Sequence, residues 1–248
     1  MTALPILYQD EHLVAVNKPS GLLVHRSDIA RHETEHAMKI VRNQLRRWVY
    51  PFHRLDRSTS GVLVFGLDQE TARRMTRFFT DDAVEKAYLA VVRGHTKEGE
   101  RIDYPLKERR DKMTDQNADR DKPAQQAITN YRRLGIVDVP QPVGPYATAR
   151  YSLLQIKPLT GRNHQIRRHM KHIFHPVIGD TTYGDGKHND LFRKHFNCRR
   201  LLLHASSIEF PHPYTGGTVV IQAPLDDAFS ALLTALGWGG LRPVESGF

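Results

Sequence analysis

Short apolar segments rich in β-branched residues recur along the chain, and they constrain its fold more than any other feature. Val62–Leu67, Tyr88–Val92 and Tyr151–Ile156 are three of them. Few segments of helical periodicity separate these runs, and strand and helix do not alternate regularly. The pattern predicts an α+β fold with a mixed, mainly antiparallel β-sheet flanked by helices, rather than a doubly wound parallel sheet.

Local patterns predict the remaining elements. Apolar runs between turn residues predict a pair of short strands within 6–16 and further strands at 127–132, 201–203 and 218–222. Helical spacing predicts helices at 32–48, after an N-cap at Asp68, from Asn163 onward and at 226–237. The polar segment 108–126 predicts a surface insertion. We expect residues 1–248 to form a single domain.

Composition restricts the class of protein. The chain has 36 Lys and Arg against 27 Asp and Glu, a formal net charge of +9. This excess suits a polyanionic partner such as nucleic acid, although many basic proteins bind none. The single cysteine, Cys198, excludes an intramolecular disulfide and zinc sites built on paired cysteines. No apolar run approaches the ~20 residues of a membrane span, and the first ten residues lack a signal-peptide pattern. We therefore expect a cytoplasmic protein.

The segment His53-Arg54-Leu55-Asp56-Arg57-Ser58-Thr59-Ser60-Gly61 concentrates polar groups directly before a predicted strand. Loops that end on a rigid strand often carry catalytic residues. A neighbouring guanidinium, from Arg54 or Arg57, would keep the Asp56 carboxylate ionised. Taken alone, however, the segment favours a structural ion pair, because ion pairs are far commoner than catalytic carboxylates.

A second polar segment, Thr160-Gly161-Arg162-Asn163-His164, opens a predicted helix. Free backbone N–H groups there, with the Arg162 and His164 side chains, fit a phosphate site or an ordinary basic face equally well. Tyr88 lies in a predicted central strand, where a tyrosine is more often a core residue. Four histidines cluster in the same region, but their spacing is not that of a zinc helix, so we expect no metal: His164, His169, His172 and His175.

The order of several segments resembles that of the motifs of the RluA-type pseudouridine synthases. The central motif corresponds to His53–Gly61 and the first motif to Asn17–His25. The tyrosine strand corresponds to Lys86–Gly94 and the third motif to Leu159–Arg167, and His175–Asp180 and Leu203–Ala205 also have counterparts. The resemblance extends over roughly residues 6 to 235. It implies a mixed sheet flanked by helices, with a central RNA-binding cleft.

The resemblance also implies roles for individual residues. Asp56 corresponds to the catalytic aspartate, and Arg167 to the arginine that pairs with it and fixes its orientation. Tyr88 corresponds to the tyrosine beside the target base, with a role in proton removal. Arg54 is expected to help hold the site of the displaced base open. Arg162 and His164 are expected to bind the substrate.

The reaction that the resemblance implies is isomerisation of uridine to pseudouridine in RNA, with uridine 65 of tRNA as the expected target. It needs no water and no redox change, so we expect no cofactor. We also expect a monomer without an N-terminal S4 domain, and no membrane partner. Three alternatives stay open: a ribosomal RNA synthase of the same family, a non-catalytic RNA-binding protein on the same scaffold, and a base-excising glycosidase.

Overall fold

The computed structural model describes residues 3–25, 35–108 and 123–241. The predicted insertion at 108–126 therefore lies mostly outside the described residues. The chain divides into two compact units. Unit 1 comprises Met1–Lys86, Pro105–Gln125 and Ala205–Pro224, and unit 2 comprises Ala87–Tyr104, Gln126–His204 and Leu225–Phe248. The expectation of a single domain stays a prediction.

Ten strands are present in the described part of the chain. They are β1 (Ile6–Gln9), β2 (Leu13–Lys18), β3 (Tyr50–Pro51), β4 (Ser60–Gly66), β5 (Glu85–Arg93), β6 (Gly99–Asp103), β7 (Ile128–Val139), β8 (Ala149–Pro158), β9 (Leu203–Pro211) and β10 (Thr218–Gln222).

Five helices accompany these strands in the same ranges. They are α1 (Ala37–Leu45), α2 (Gln69–Thr80), α3 (Gln165–His172), α4 (Gly186–His195) and α5 (Asp227–Ala235). Among the described residues, no helix is long and apolar enough to cross a membrane.

Unit 1 is built on strands that pair in the order β1-β2-β4-β9, with β10 on β9 and β3 on β4. The β1–β2, β2–β4, β3–β4 and β9–β10 pairs are antiparallel. Asp68 caps α2 by accepting the Thr71 N–H at 2.7 Å, as predicted. Met75 of α2 packs with Leu13, Val64 and Phe210 in the core of this unit. Burial of each such side chain contributes roughly 1.5–3 kcal/mol.

Unit 2 is built on the antiparallel order β5-β8-β7-β6. Alternate residues of β5 enter two cores: Leu89 and Val91 pack with the residues of α4 and α5, whereas Ala90 and Val92 pack with those of α3. Both faces of β5 are therefore covered, which explains why its sequence is apolar without alternation. The predicted central strand and the α+β class are confirmed.

Three local predictions differ from the structure. Among the described residues α1 ends at Leu45, because Arg46 adopts the left-handed conformation with φ 52°. Trp48, the last residue of the helix predicted at 32–48, lies beyond α1 and is 64% exposed. Helix α4 was not predicted, since only Leu191 and Phe192 of its ten residues are apolar and buried. The helix predicted from Asn163 begins at Gln165.

Candidate active site

A buried ammonium group binds the loop that carries Asp56. Lys18, at the end of β2, is completely buried. Its Nζ donates to the carbonyl oxygens of Pro19, Leu22 and Arg57 at 3.0, 2.8 and 3.1 Å. A buried charge needs such partners, because an uncompensated one would cost several kcal/mol. Lys18 thus ties the first predicted motif to the residue that follows Asp56.

Further hydrogen bonds join the same two segments. The Gly21 N–H donates to the Arg57 carbonyl at 2.8 Å, and the Arg57 Nε donates to the Gly21 carbonyl at 2.9 Å. The Ser20 hydroxyl donates to the Ser58 carbonyl at 2.6 Å. A turn closes when the Thr59 N–H donates to the Asp56 carbonyl at 3.1 Å. The backbone beneath the half-buried Asp56 is therefore fixed on both sides.

His53, the first residue of the motif, holds the loop to β4. Its Nε2 accepts the Val64 N–H at 2.8 Å, so the ring proton of the neutral form lies on Nδ1. The ring stacks on Phe79 of α2 with centroids 5.2 Å apart. Burial and then the Lys86 ammonium lower the pKa of His53 from 6.5 to about 3. This histidine is a neutral structural acceptor.

Gly61 ends the motif at a point where β4 and β9 approach closely. Its φ is +113°, and a Cβ atom there would lie 2.1 Å from the Ala205 carbonyl oxygen. No side chain fits at that distance, so the glycine is required by the backbone packing. Strand β4 therefore begins beside β9 immediately after the Asp56 turn.

In unit 2, Arg167 lies on α3 and is 6% exposed. Its Nε and Nη2 donate to the two carboxylate oxygens of Asp180 at 2.7 and 2.9 Å. Burial raises the pKa of Asp180, but the hydrogen bonds from Arg167 and from the Tyr183 and Thr182 N–H groups outweigh it and hold the pKa below its usual range. The bidentate pair fixes the plane of the guanidinium. The predicted pairing of Arg167 with Asp56 stays a prediction.

Tyr183 connects Arg167 with His164. The Arg167 guanidinium lies 5.2 Å from the centre of the Tyr183 ring, and the Tyr183 hydroxyl is 3.1 Å from His164 Nδ1. His164 precedes α3 in the left-handed conformation and makes no side-chain capping hydrogen bond. These two predicted site residues therefore share one aromatic neighbour.

Arg162 is exposed, and its backbone is organised by the buried Gln165. The Gln165 Oε1 accepts from the Arg162 N–H at 2.9 Å and from the Thr160 hydroxyl at 2.7 Å. The Arg162 Nε donates to the Gln126 carbonyl at 3.0 Å. The turn before α3 is thus held by hydrogen bonds, and the Arg162 N–H, expected from the sequence to be free for a phosphate, is taken by Gln165.

Tyr88 lies on β5, opposite Ile156 of β8, and is partly buried. It packs against the core that contains Ile166 and Met170 of α3. Tyr88 and Arg167 therefore belong to neighbouring elements of unit 2. Asp56 and Arg54 lie in one loop of unit 1, where Arg54 is exposed. Among the residues that the structure describes, no group of three or more His, Cys, Asp or Glu side chains could hold a metal ion.

Comparison with known proteins gives the family. A family model described as RNA pseudouridylate synthase matches residues 12–172, which include Asp56, Tyr88 and Arg167. The chain belongs to the RNA pseudouridylate synthase family. The predicted RluA-type resemblance is confirmed, and with it the class of enzyme, an isomerase.

Curated relatives in this family cover nearly the whole chain. The chain is 53% identical over 235 residues to tRNA pseudouridine synthase C of Vibrio cholerae, covering 95% of this chain and 96% of the relative. It is 52% identical to tRNA pseudouridine synthase C of Haemophilus influenzae, covering 95% and 98%.

Solved structures of the family share the fold. The human RNA pseudouridylate synthase domain containing 4 superposes with a TM-score of 0.70 at 26% identity, covering 94% of this chain and 93% of the other. The human RNA pseudouridylate synthase domain containing 1 gives 0.66 at 25% identity, covering 97% of each chain.

Four contacts of this pseudouridylate synthase were not assigned from its sequence. They are the hydrogen bond from Lys18 to the Arg57 carbonyl, that from the Val64 N–H to His53, the ion pair of Asp180 with Arg167, and the Tyr183 ring beside Arg167. Lys18 and Asp180 lie within predicted motifs, but a Lys or Asp there is equally compatible with a solvated side chain. The signal that could have found Asp180 is the glycine-rich segment after Val177, which places backbone N–H groups around a carboxylate.

Proposed function

We propose that this chain converts uridine to pseudouridine in transfer RNA, at position 65, with Asp56 as the catalytic carboxylate. The observation that supports tRNA as the substrate is the 53% identity, over almost the full length of both chains, with a tRNA pseudouridine synthase C. The rigid turn beneath Asp56 supports the assignment of the carboxylate.

The target uridine must leave its base stack before a side chain can reach its ribose. Extrusion costs about a few kcal/mol, which contacts in the pocket offset. Cleavage of the N1–C1′ bond gives C1′ oxocarbenium character, and a nearby carboxylate stabilises this charge. Two routes start from Asp56: addition to C1′, or removal of the C2′ proton. The detached uracil then turns and joins C1′ through C5, which breaks the Asp56–C1′ bond on the first route and is accompanied by return of the proton to C2′ on the second. On either route the C5 proton is finally lost.

The other site residues act around this carboxylate in the proposal. Arg167, with its plane fixed by Asp180, orients Asp56. Tyr88 takes the C5 proton, directly or through water. Arg54 holds the site of the displaced base open, and the Arg162 and His164 side chains bind the RNA backbone. The reaction uses no cofactor and no metal. The protein acts as a monomer in the cytoplasm.

The test compares Asp56→Asn with the wild type on unmodified tRNA. The substitution keeps the size of the side chain and removes its charge, so we expect folding and RNA binding to persist while pseudouridine formation falls by at least about 10³-fold. The measurements are pseudouridine in digested tRNA by mass spectrometry, its position by chemical mapping, and the melting temperature of each variant. Asp81→Asn, at the exposed end of α2, is the matched control and should retain full activity.

Each rival predicts a different product. A ribosomal RNA synthase would leave tRNA unmodified and act on ribosomal RNA from a strain that lacks the enzyme. A glycosidase would release free uracil, and a non-catalytic RNA-binding protein would bind RNA without forming pseudouridine. Substantial turnover by Asp56→Asn would refute the role of this carboxylate.

A further inference from the structure

The most exposed large apolar side chain among the described residues is Phe174, at 78%. It stands at the C-terminal end of α3, two residues beyond His172. Phe174 also has a positive φ of 63°, a conformation that is a genuine outlier for a bulky residue. The residue is therefore unfavourable in two ways: its apolar ring is exposed to water, and its backbone is strained.

The backbone geometry explains the positive φ but not the phenylalanine. The His175 N–H donates to the Met170 carbonyl at 2.8 Å, and the Phe174 N–H donates to the Lys171 carbonyl at 3.0 Å. These two hydrogen bonds form the Schellman motif that closes many helices, in which the left-handed residue is usually glycine. A glycine at 174 would keep both bonds without the strain. A ring that is 78% exposed gives no packing reason for the phenylalanine either.

The turn that presents the ring is rigid. The Arg93 guanidinium donates to the Phe174 carbonyl at 3.1 Å and to Asp185 at 2.6 Å. The His175 Nδ1 donates to the Arg93 carbonyl at 2.8 Å. A Cβ atom on Gly94 would lie 2.9 Å from the same imidazole. The backbone that carries the ring is therefore held in place before any partner arrives, which lowers the entropic cost of binding.

Beside the ring lies a cleft of about 430 Å³, a volume within the range of small-molecule sites. Phe174, Lys171, Arg93 and Tyr183 line it, together with Pro176 and residues 184–186. The cleft is cationic. Lys171 is exposed, and the single carboxylate among the lining residues, that of Asp185, is paired with Arg93. Tyr183 on its wall is the residue that contacts Arg167 and His164.

We propose that this cleft is a subsite for an unpaired nucleotide of the RNA substrate, with the base stacked on Phe174 and a phosphate beside Lys171. A flat ring next to a cation fits a nucleotide, since every base offers a π-face and every link a negative charge. This inference rests on the proposed function, because the RNA it requires is the substrate of that reaction. The subsite holds a nucleotide other than the isomerised uridine.

Phe174→Gly separates the two effects of the residue. It removes the backbone strain, so the melting temperature should rise by about 2–4 °C. It also removes the stacking surface, so the dissociation constant for unmodified tRNA should rise about 10-fold. Pseudouridine formation at saturating RNA should keep its wild-type rate. A variant that is more stable but binds RNA more weakly would be difficult to explain by a merely structural role.

Three further variants sharpen the test. Phe174→Trp should bind tRNA within about twofold of the wild type, whereas Phe174→Leu should be as weak as Phe174→Gly, because leucine is apolar but cannot stack. Tyr146→Ser removes another exposed ring, 65% exposed, and should leave the dissociation constant unchanged. The measurements are fluorescence anisotropy with labelled tRNA and calorimetric melting.

The outcomes distinguish this subsite from the proposed function. Wild-type activity on tRNA combined with unchanged dissociation constants for all Phe174 variants would overturn the subsite alone. If the wild type forms no pseudouridine in tRNA, the proposed function fails, and the same affinity series on total cellular RNA still tests the subsite. A wild-type dimer that Phe174→Gly dissociates would assign the ring to a contact between copies and would also overturn it.

Discussion

The protonation state of His53 follows from one hydrogen bond. Its Nε2 accepts the Val64 N–H, and an imidazolium cannot accept. The folded chain therefore holds the ring neutral, with the pKa lowered to about 3 by burial and the Lys86 ammonium. In the unfolded chain the same ring takes up a proton at about 6.5.

This difference predicts how stability depends on pH. Between about 6.5 and 3 the unfolded chain binds more protons, so the His53 contribution is fully present above pH 6.5 and is lost as pH falls toward 3. The loss approaches ~1.4 kcal/mol per pH unit in the middle of this window. His53→Gln supplies an uncharged acceptor, so its free energy of unfolding should fall less steeply. Urea unfolding at pH 7, 6, 5 and 4 measures both slopes.

The matched control for this prediction is His195→Gln, because His195 is exposed at the end of α4. It should keep the wild-type slope. Equal slopes for the wild type and His53→Gln would contradict the assignment of His53 as a neutral acceptor.

Single residues could be predicted from sequence only where a motif supplied their chemistry. Asp56 was identified by the order of the motifs around it, whereas alone it suited a structural ion pair. Lys18 shows why other residues were missed. Its three carbonyl acceptors include Arg57, which is 39 residues away, and that proximity exists only after β2 and β4 have paired. Nothing in local sequence distinguishes such a lysine from a solvated one.

At the scale of elements, the close approach of β4 and β9 gives a direct test of the fold around the motif. Gly61→Ala would place a Cβ atom 2.1 Å from the Ala205 carbonyl oxygen, at a φ of +113°. Because the neighbour is backbone, it cannot move aside without breaking the sheet. We expect a destabilisation of roughly 3 kcal/mol or more, or failure to fold, measured by chemical denaturation.

Gly186→Ala is the matched control for that substitution. No atom lies within 4 Å of a Cβ at this position, which is the first residue of α4. Alanine has a higher helix propensity than glycine, so the variant should be as stable as the wild type or slightly more stable. A Gly61→Ala protein of wild-type stability would show that β4 and β9 can separate at this point.

Elements with strong periodicity were predicted well, and those without it were not. The α5 helix was predicted, at 226–237, because Phe229, Leu232 and Leu233 form a clear apolar face. Helix α4 buries only a narrow apolar stripe and is defined by its cap: Asp185 accepts from the Lys187 N–H at 3.0 Å. Strand β6 was missed because Gly99–Asp103 has one buried apolar residue, Ile102. Pairing with β7, rather than propensity, makes it a strand.

For the molecule as a whole, the chain has 36 Lys and Arg against 27 Asp and Glu, and the structure shows where some of the basic residues lie. Helix α3 contains no acidic residue, and it carries Arg168 and the exposed Lys171. The same helix carries Arg167 of the candidate site. Part of the chain's positive charge therefore lies beside residues for which we propose RNA contacts.

This charge predicts a steep dependence of RNA binding on salt. Each phosphate contact releases condensed counterions, so the logarithm of the association constant should fall linearly with the logarithm of salt concentration between about 50 and 200 mM. Lys171→Gln should lower the magnitude of that slope by about 1. Lys194→Gln is the control, because Lys194 is already paired with Asp190 at 2.7 Å and should leave the slope unchanged. Anisotropy titrations of labelled tRNA at four salt concentrations measure all three slopes. An affinity independent of salt would mean that the positive charge of this chain does not act on RNA.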